Sequence, residues 1–345
     1  MSGAFSPPPL ERSAFSNFTN VPQQAENIVN RKGGVDSSLY QSCLALRQRL
    51  ATVPNFAGYL ADMDEEEQDS GEETDPVTSM WNMLRRGYPL MDIYNALQPQ
   101  TAIDVDVSKV AESKRGKAAT FKFLQACLGN LSFPANECFL ITDLYGTDTT
   151  GFVKVLKVIN RVLDVLAQNG LLLDHQEQGA GLLKSSSDRS RQENVVHELV
   201  TTERDYVQHL ETLQQFSTQI QQAGVLPGDT LHNIFMNLNA LLDFQRRFLI
   251  RIEQQNSLDR SMQNWGQLFI QYQSGFNVYE PFIANQMQCN EIVMKEWDRI
   301  KTTPVSPGFE QMISSHTVLT GFLLKPFQRL AKYPLLLDVS APCSS

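Results

Sequence analysis

The stretch at 195–213, Val-Val-His-Glu-Leu-Val-Thr-Thr-Glu-Arg-Asp-Tyr-Val-Gln-His-Leu-Glu-Thr-Leu, restricts the fold more than any other part of the chain. Val196, Leu199, Tyr206, Leu210 and Leu213 recur at spacings of three, seven, four and three. That rhythm puts them on one stripe of a helix of more than about four turns, and the stripe must be buried. Glu198 falls roughly 100° round from Leu199, on a flank shared with Thr202, Asp205 and His209. Its carboxylate can therefore stay at the surface of a helix anchored in a core, an arrangement suited to binding a partner.

With 345 residues, 42% of them hydrophobic, the chain has material for about two domains plus irregular tails. The formal charge of −9 is concentrated in one place: 62–75 holds nine acids and no base. Removing those nine from the 38 acids leaves 29, equal to the 29 Lys and Arg, so the rest of the chain has no broad basic face for a nucleic acid. The five cysteines are scattered without a CxxC pair, which reads as free thiols in a reducing compartment. The first residues lack a basic and an apolar leader region, and no run approaches the roughly 20 apolar residues of a membrane span. A cytoplasmic protein is expected.

Residues 1–35 are rich in Ser, Pro, Asn, Gln and Gly and are expected to be a disordered tail. Leu39, Cys43, Leu46 and Leu50 then set a first amphipathic helix. The acidic run 62–75 contains Gly71 and ends in Asp75-Pro76, and is expected to be a solvated loop. Helical spacing returns at 77–98, broken at Gly87 and Pro89, and again at 118–128, 134–144 and 152–167, the last ending at Asn169-Gly170. Residues 173–190 are small and polar and read as a linker. Helical patterns resume at 231–253, 262–284 and 286–300. No segment alternates like a strand, so the expected class is all-α, with long helices burying their side chains as a bundle in the second half.

In the first half, Trp81-Asn82-Met83-Leu84-Arg85-Arg86-Gly87-Tyr88-Pro89-Leu90, with Phe121 to Cys127 and Asp143-Leu144-Tyr145, resembles a calponin-homology domain of the type that heads certain fungal exchange factors. The resemblance spans about 38–172. It does not by itself imply actin binding.

A second signature stands at 322–337, Phe-Leu-Leu-Lys-Pro-Phe-Gln-Arg-Leu-Ala-Lys-Tyr-Pro-Leu-Leu-Leu. Pro326 is tolerated at a helix start, whereas Pro334 removes an interior hydrogen bond. Lys325, Arg329 and Lys332, four and three apart, are expected to share a basic face opposite Phe327, Leu330 and Leu335. Taken with Glu198-Leu199 and Thr202 to Val207, this stretch resembles the first and third signature regions of a Dbl-homology domain, the exchange module for Rho-type GTPases. The order of the two modules resembles the fungal polarity exchange factors of the cell division control protein twenty-four family. The resemblance implies that Glu198 engages switch I of the GTPase and Lys332 switch II, with Gln328 and Arg329 helping from the same helix. It implies no cofactor or metal and no covalent chemistry. It also implies recruitment to the cell cortex at polarity sites, and a polarity scaffold or G-protein subunit as a partner of the first domain. The histidines form no HxxxH or Cys/His ligand cluster.

A complete Dbl-homology domain opening near Asn194 is expected to run past residue 345. On that reading 191–345 is a partial domain, parts of the 195–213 stripe and of the 327–337 face lie open, and the alternative function is a non-catalytic interaction protein with an inert bundle.

Overall fold

The computed structural model describes residues 32–34, 38–70, 74–173 and 191–340. The expected tail before residue 32, the linker from 174 on and the segment after 340 lie outside them. Among the described residues there is no strand, and no helix is long and apolar enough to cross a membrane.

Helix α1 (Leu39–Leu50) opens on Ser38, whose hydroxyl accepts from the Gln41 amide, and buries Leu39, Cys43, Leu46 and Leu50 as their spacing requires. Next comes α2 (Ala57–Ser70), and here the expected acidic loop is corrected: the run is helical through Ser70. Glutamates are good helix formers, Met63 is buried in the core, and the acids find bases on neighbouring helices. Arg47 pairs with Asp64 and Glu67, and Arg86 pairs with Asp62. Asp75 then caps α3 (Pro76–Arg85), accepting from the amides of Val77 and Thr78. Gly87 separates α3 from α4 (Tyr88–Asn95) at φ +78, where a Cβ would meet the Gly116 carbonyl oxygen at 2.1 Å, so only glycine lets this turn approach the next helix. The first half is completed by α5 (Glu112–Gly129), α6 (Ile141–Tyr145) and α7 (Thr149–Gln168). Trp81 stacks on Phe152 at 4.4 Å and donates from its indole to the Leu144 carbonyl, tying α3, α6 and α7 together.

The second half is built on α8 (Arg191–Ala223), longer than its sequence stripe by nearly four turns. It is followed by α9 (Gly228–Phe235) and α10 (Leu238–Ser257). The single helical pattern read at 231–253 is broken here, because Met236 takes φ 45 and Asn237 turns to donate to the Val278 carbonyl. Short helices α11 (Trp265–Gln271), α12 (Glu280–Ala284), α13 (Gln286–Lys295) and α14 (Trp297–Ile300) lead to α15 (His316–Leu323) and α16 (Lys325–Ser340).

Two hydrophobic cores result, one from the helices before residue 167 and one from those after 195, and Ile250 of α10 belongs to the first. Polar contacts accompany that crossing. The Thr149 amide, at the start of α7, donates to Asp243 of α10 at 2.7 Å. Burial pushes the Asp243 carboxyl up, but bonds from Arg247 and Thr149 outweigh it and hold the group below the usual carboxylate range. Arg246, nearly buried, pairs with Glu211 of α8 at 2.8 Å and donates to the Thr150 hydroxyl at 2.9 Å. Farther up the chain, the Gly33 amide donates to Asp205 of α8 at 2.6 Å.

The thiols of Cys43, Cys127, Cys138 and Cys289 are free. Burial pushes those of Cys127 and Cys289 up to about 12, which leaves them protonated and inert.

Candidate functional site

The stripe of α8 is buried along its whole length: Val196, Leu199, Tyr206, Leu210 and Leu213 are all 8% exposed or less. The expectation that part of it lies open is thus corrected. It is covered chiefly by α10 and α16. On the 327–337 face, by contrast, Phe327 and Leu335 are 51% and 66% exposed.

Helices α8 and α16 are locked by one side chain. Arg329 donates to the Glu203 carboxylate from Nε at 2.9 Å and from Nη2 at 2.5 Å, to the Thr202 hydroxyl at 2.7 Å, and to the Leu199 carbonyl at 3.4 Å. Arg329 is 4% exposed and Glu203 fully buried. This corrects the basic face read on α16: Lys332 and Gln328 are exposed, Lys325 is half-buried, and Arg329 points into the bundle. The packing face is likewise not Phe327 and Leu335 but Pro326, Arg329 and Tyr333, all buried.

Around Glu203 a polar network is closed within the second core. The carboxylate also accepts from the Tyr333 hydroxyl at 3.0 Å and from the Gln245 amide. Gln245 accepts in turn from Tyr279 at 3.0 Å, and the Tyr279 and Tyr206 hydroxyls are hydrogen-bonded at 3.1 Å. Burial raises the pKa of all three phenols, so they stay protonated. For Arg329, burial would lower the pKa, but its interactions with Glu203 and Tyr333 together outweigh it and the guanidinium is held charged. A fully partnered buried network of this kind fixes one arrangement of the helices around it.

What this lock presents outward is a pair of opposite charges. Glu198, one residue before Leu199, is exposed on α8; Gln328 and Lys332, one before and three after Arg329, are exposed on α16. Among the described residues none of these three side chains makes a hydrogen bond or ion pair. The structure thus brings Glu198, Gln328 and Lys332 to adjoining helices and moves Arg329 into the support beneath them. Glu203 is a residue of the site's framework, buried on α8 beneath the exposed side chains. Its position gave a signal, since it stands four after Leu199 and three before Tyr206, on the apolar stripe itself.

Glu198 and Lys332 thus stand as an unpartnered carboxylate and an unpartnered ammonium on two cross-linked helices. Residues 195–339 match the RhoGEF domain family, and 75–163 match the CDC24 calponin family. The chain thus carries a RhoGEF domain behind a CDC24-type calponin domain. It is 32% identical to Rho guanine nucleotide exchange factor scd1 of Schizosaccharomyces pombe over 94% of this chain, and 29% identical to cell division control protein 24 of Saccharomyces cerevisiae over 76% of it. The chain spans 38% and 31% of the length of those two relatives. Human Rho guanine nucleotide exchange factor TIAM2 is 32% identical over 45% of this chain and 10% of its own length. Among solved structures, autoinhibited Vav1 aligns over 88% of this chain and 59% of that chain, at 19% identity and a TM-score of 0.35.

Proposed function

We propose that the chain promotes GDP release from a Rho-family small GTPase of the cell-division-cycle type, acting in cell polarity at the cell cortex. The supporting observation is the exposed, unpartnered pair Glu198 and Lys332 on helices locked by the buried Arg329–Glu203 contact. On this reading Glu198 meets switch I and Lys332 switch II, with Gln328 beside it, and the calponin-like unit over 38–172 is a site for a scaffold or G-protein subunit. No covalent step is required. A surface that binds the nucleotide-free GTPase better than the loaded form shifts the population toward the empty state, and abundant GTP then enters. Charge-assisted hydrogen bonds from a carboxylate and an ammonium suit that task, because they hold two switch loops in a displaced arrangement.

The test is release of a fluorescent GDP analogue from purified Rho-type GTPases. The wild-type chain is expected to accelerate release. Glu198→Ala and Lys332→Ala, each losing a contact of about 1.5–3 kcal/mol, are expected to slow it roughly 10- to 150-fold. Both residues are exposed, so the variants should keep the wild-type unfolding midpoint. A folded chain that accelerates no Rho-type GTPase would sink the exchange reading and leave a non-catalytic interaction protein.

A further inference from the structure

An apolar groove of about 600 Å³ opens on the first core between α5 and the segment 135–142. Its walls include Phe121, Leu124 and Leu128 of α5 and Phe139, Leu140 and Ile141 opposite. Large side chains stand at its lip with no cover: Phe121 is 56% exposed, Leu128 42% and Leu140 66%. Phe121, Leu124 and Leu128 are spaced three and four apart, the ridge that an α-helix offers another helix.

Charge singles out one kind of occupant. Lys114 and Lys117 lie within roughly 60° of Phe121 on the α5 helical wheel and so continue the same stripe toward the helix start. Both are exposed. Lys117 rests over the Tyr145 ring at 5.3 Å, and among the described residues no carboxylate pairs with either lysine. The acids near the groove are already engaged: Glu137 with Arg161, and Asp143 with Lys154 and the Leu140 amide. Glu112 falls on the opposite side of α5. The α5 stripe is therefore apolar where it walls the groove and positively charged beyond it toward the helix start, and no carboxylate among the described residues pairs with either lysine.

We infer that this groove docks an amphipathic helix of another protein, one that lays an apolar ridge between Phe121 and Leu140 and sets acidic residues over Lys114 and Lys117. Helix-in-groove recognition with such anchors needs no change in the backbone of the receiving surface. The groove includes none of Glu198, Gln328 or Lys332, so loss of helix docking and loss of nucleotide exchange are separately measurable.

The test uses the whole 345-residue chain and three labelled synthetic peptides of about 20 residues, roughly 30 Å long as helices. The first has leucines at i, i+4 and i+7 with flanking glutamates, the second replaces the glutamates by lysines, and the third keeps the glutamates but breaks the leucine stripe with asparagines. Fluorescence anisotropy is expected to show saturable binding of the first alone, weakening as salt is raised. Phe121→Asp, and separately the pair Lys114→Glu and Lys117→Glu, should each weaken that binding about ten-fold or more, as losses at the centre of a small interface do. All three residues are exposed, so an unchanged thermal midpoint separates lost binding from lost fold. No saturable binding of the acidic peptide, equal binding of the acidic and basic peptides, or full binding by Phe121→Asp would overturn the proposal. So would a dimer of the chain, seen by sedimentation, that Phe121→Asp dissolves, since the groove would then serve a second copy.

Discussion

Glu203→Ala is expected to destabilise the second core by about 3–5 kcal/mol, more than any change at the exposed pair, because it strands a charged guanidinium where water cannot reach it. Arg329 is 4% exposed and sends two of its donors to that carboxylate. The alanine would also leave the Tyr333 hydroxyl without its acceptor and the Gln245 amide with Tyr333 alone. Glu203→Gln keeps the shape and part of the bonding and should cost less. Urea unfolding followed by circular dichroism checks this, and an Ala variant within about 1 kcal/mol of wild type would show that the network contributes little. Arg329→Ala should behave like Glu203→Ala, failing in stability, while Lys332→Ala three residues on should fail in exchange and keep its stability. That contrast separates the support from the contact face within one turn of one helix.

Phe248→Ala is expected to cost about 3–5 kcal/mol, at the upper end for a buried aromatic, because its ring is the hub of a cluster that cannot collapse into the space it leaves. Phe248 is fully buried. Its ring centroid lies 5.1 Å from that of Phe269, 5.3 Å from Tyr272, 5.2 Å from Phe276 and 6.0 Å from Tyr333. The edge-to-face geometry of several of these pairs adds to simple area burial. Tyr333 belongs to the Glu203 network as well, so the cavity would loosen α16 and the exchange face with it. Phe248→Leu, which fills most of the volume, should recover a large part of the loss in the same denaturation experiment, and an equal loss for both variants would speak against a cavity as the cause.

The helical class and most of the helices were legible because each carries its own apolar period: Leu39 to Leu50, Phe152 to Leu166 and Val196 to Leu213 needed no partner to be read. Gly87 announced the break between α3 and α4 through its chemistry alone. The acidic helix was missed because its one deep anchor, Met63, is outnumbered by carboxylates whose partners, Arg47 and Arg86, are brought in by the fold. The break at Met236 was invisible for a related reason, since its cause is a bond from Asn237 to a carbonyl 41 residues away. At the candidate site, the motifs located Glu198, Gln328 and Lys332 on the surface. Arg329 was misplaced because a guanidinium among lysines reads as one more surface cation, and only the buried carboxylate on another helix turns it inward. Wherever the sequence reading fell short, the deciding contact joins residues far apart in the chain.

The carboxylate of Asp243 at the start of α7 has a further consequence. A helix begins with amides that have no partner inside it, and here one of them is supplied with its acceptor by a helix of the other core. Parting the two cores would leave the Thr149 amide without its acceptor, release Arg246 from Thr150 and expose Ile250. Contacts between described residues of the two halves thus hold them in register: one amide, one guanidinium and one isoleucine tie α7 and its core to α10.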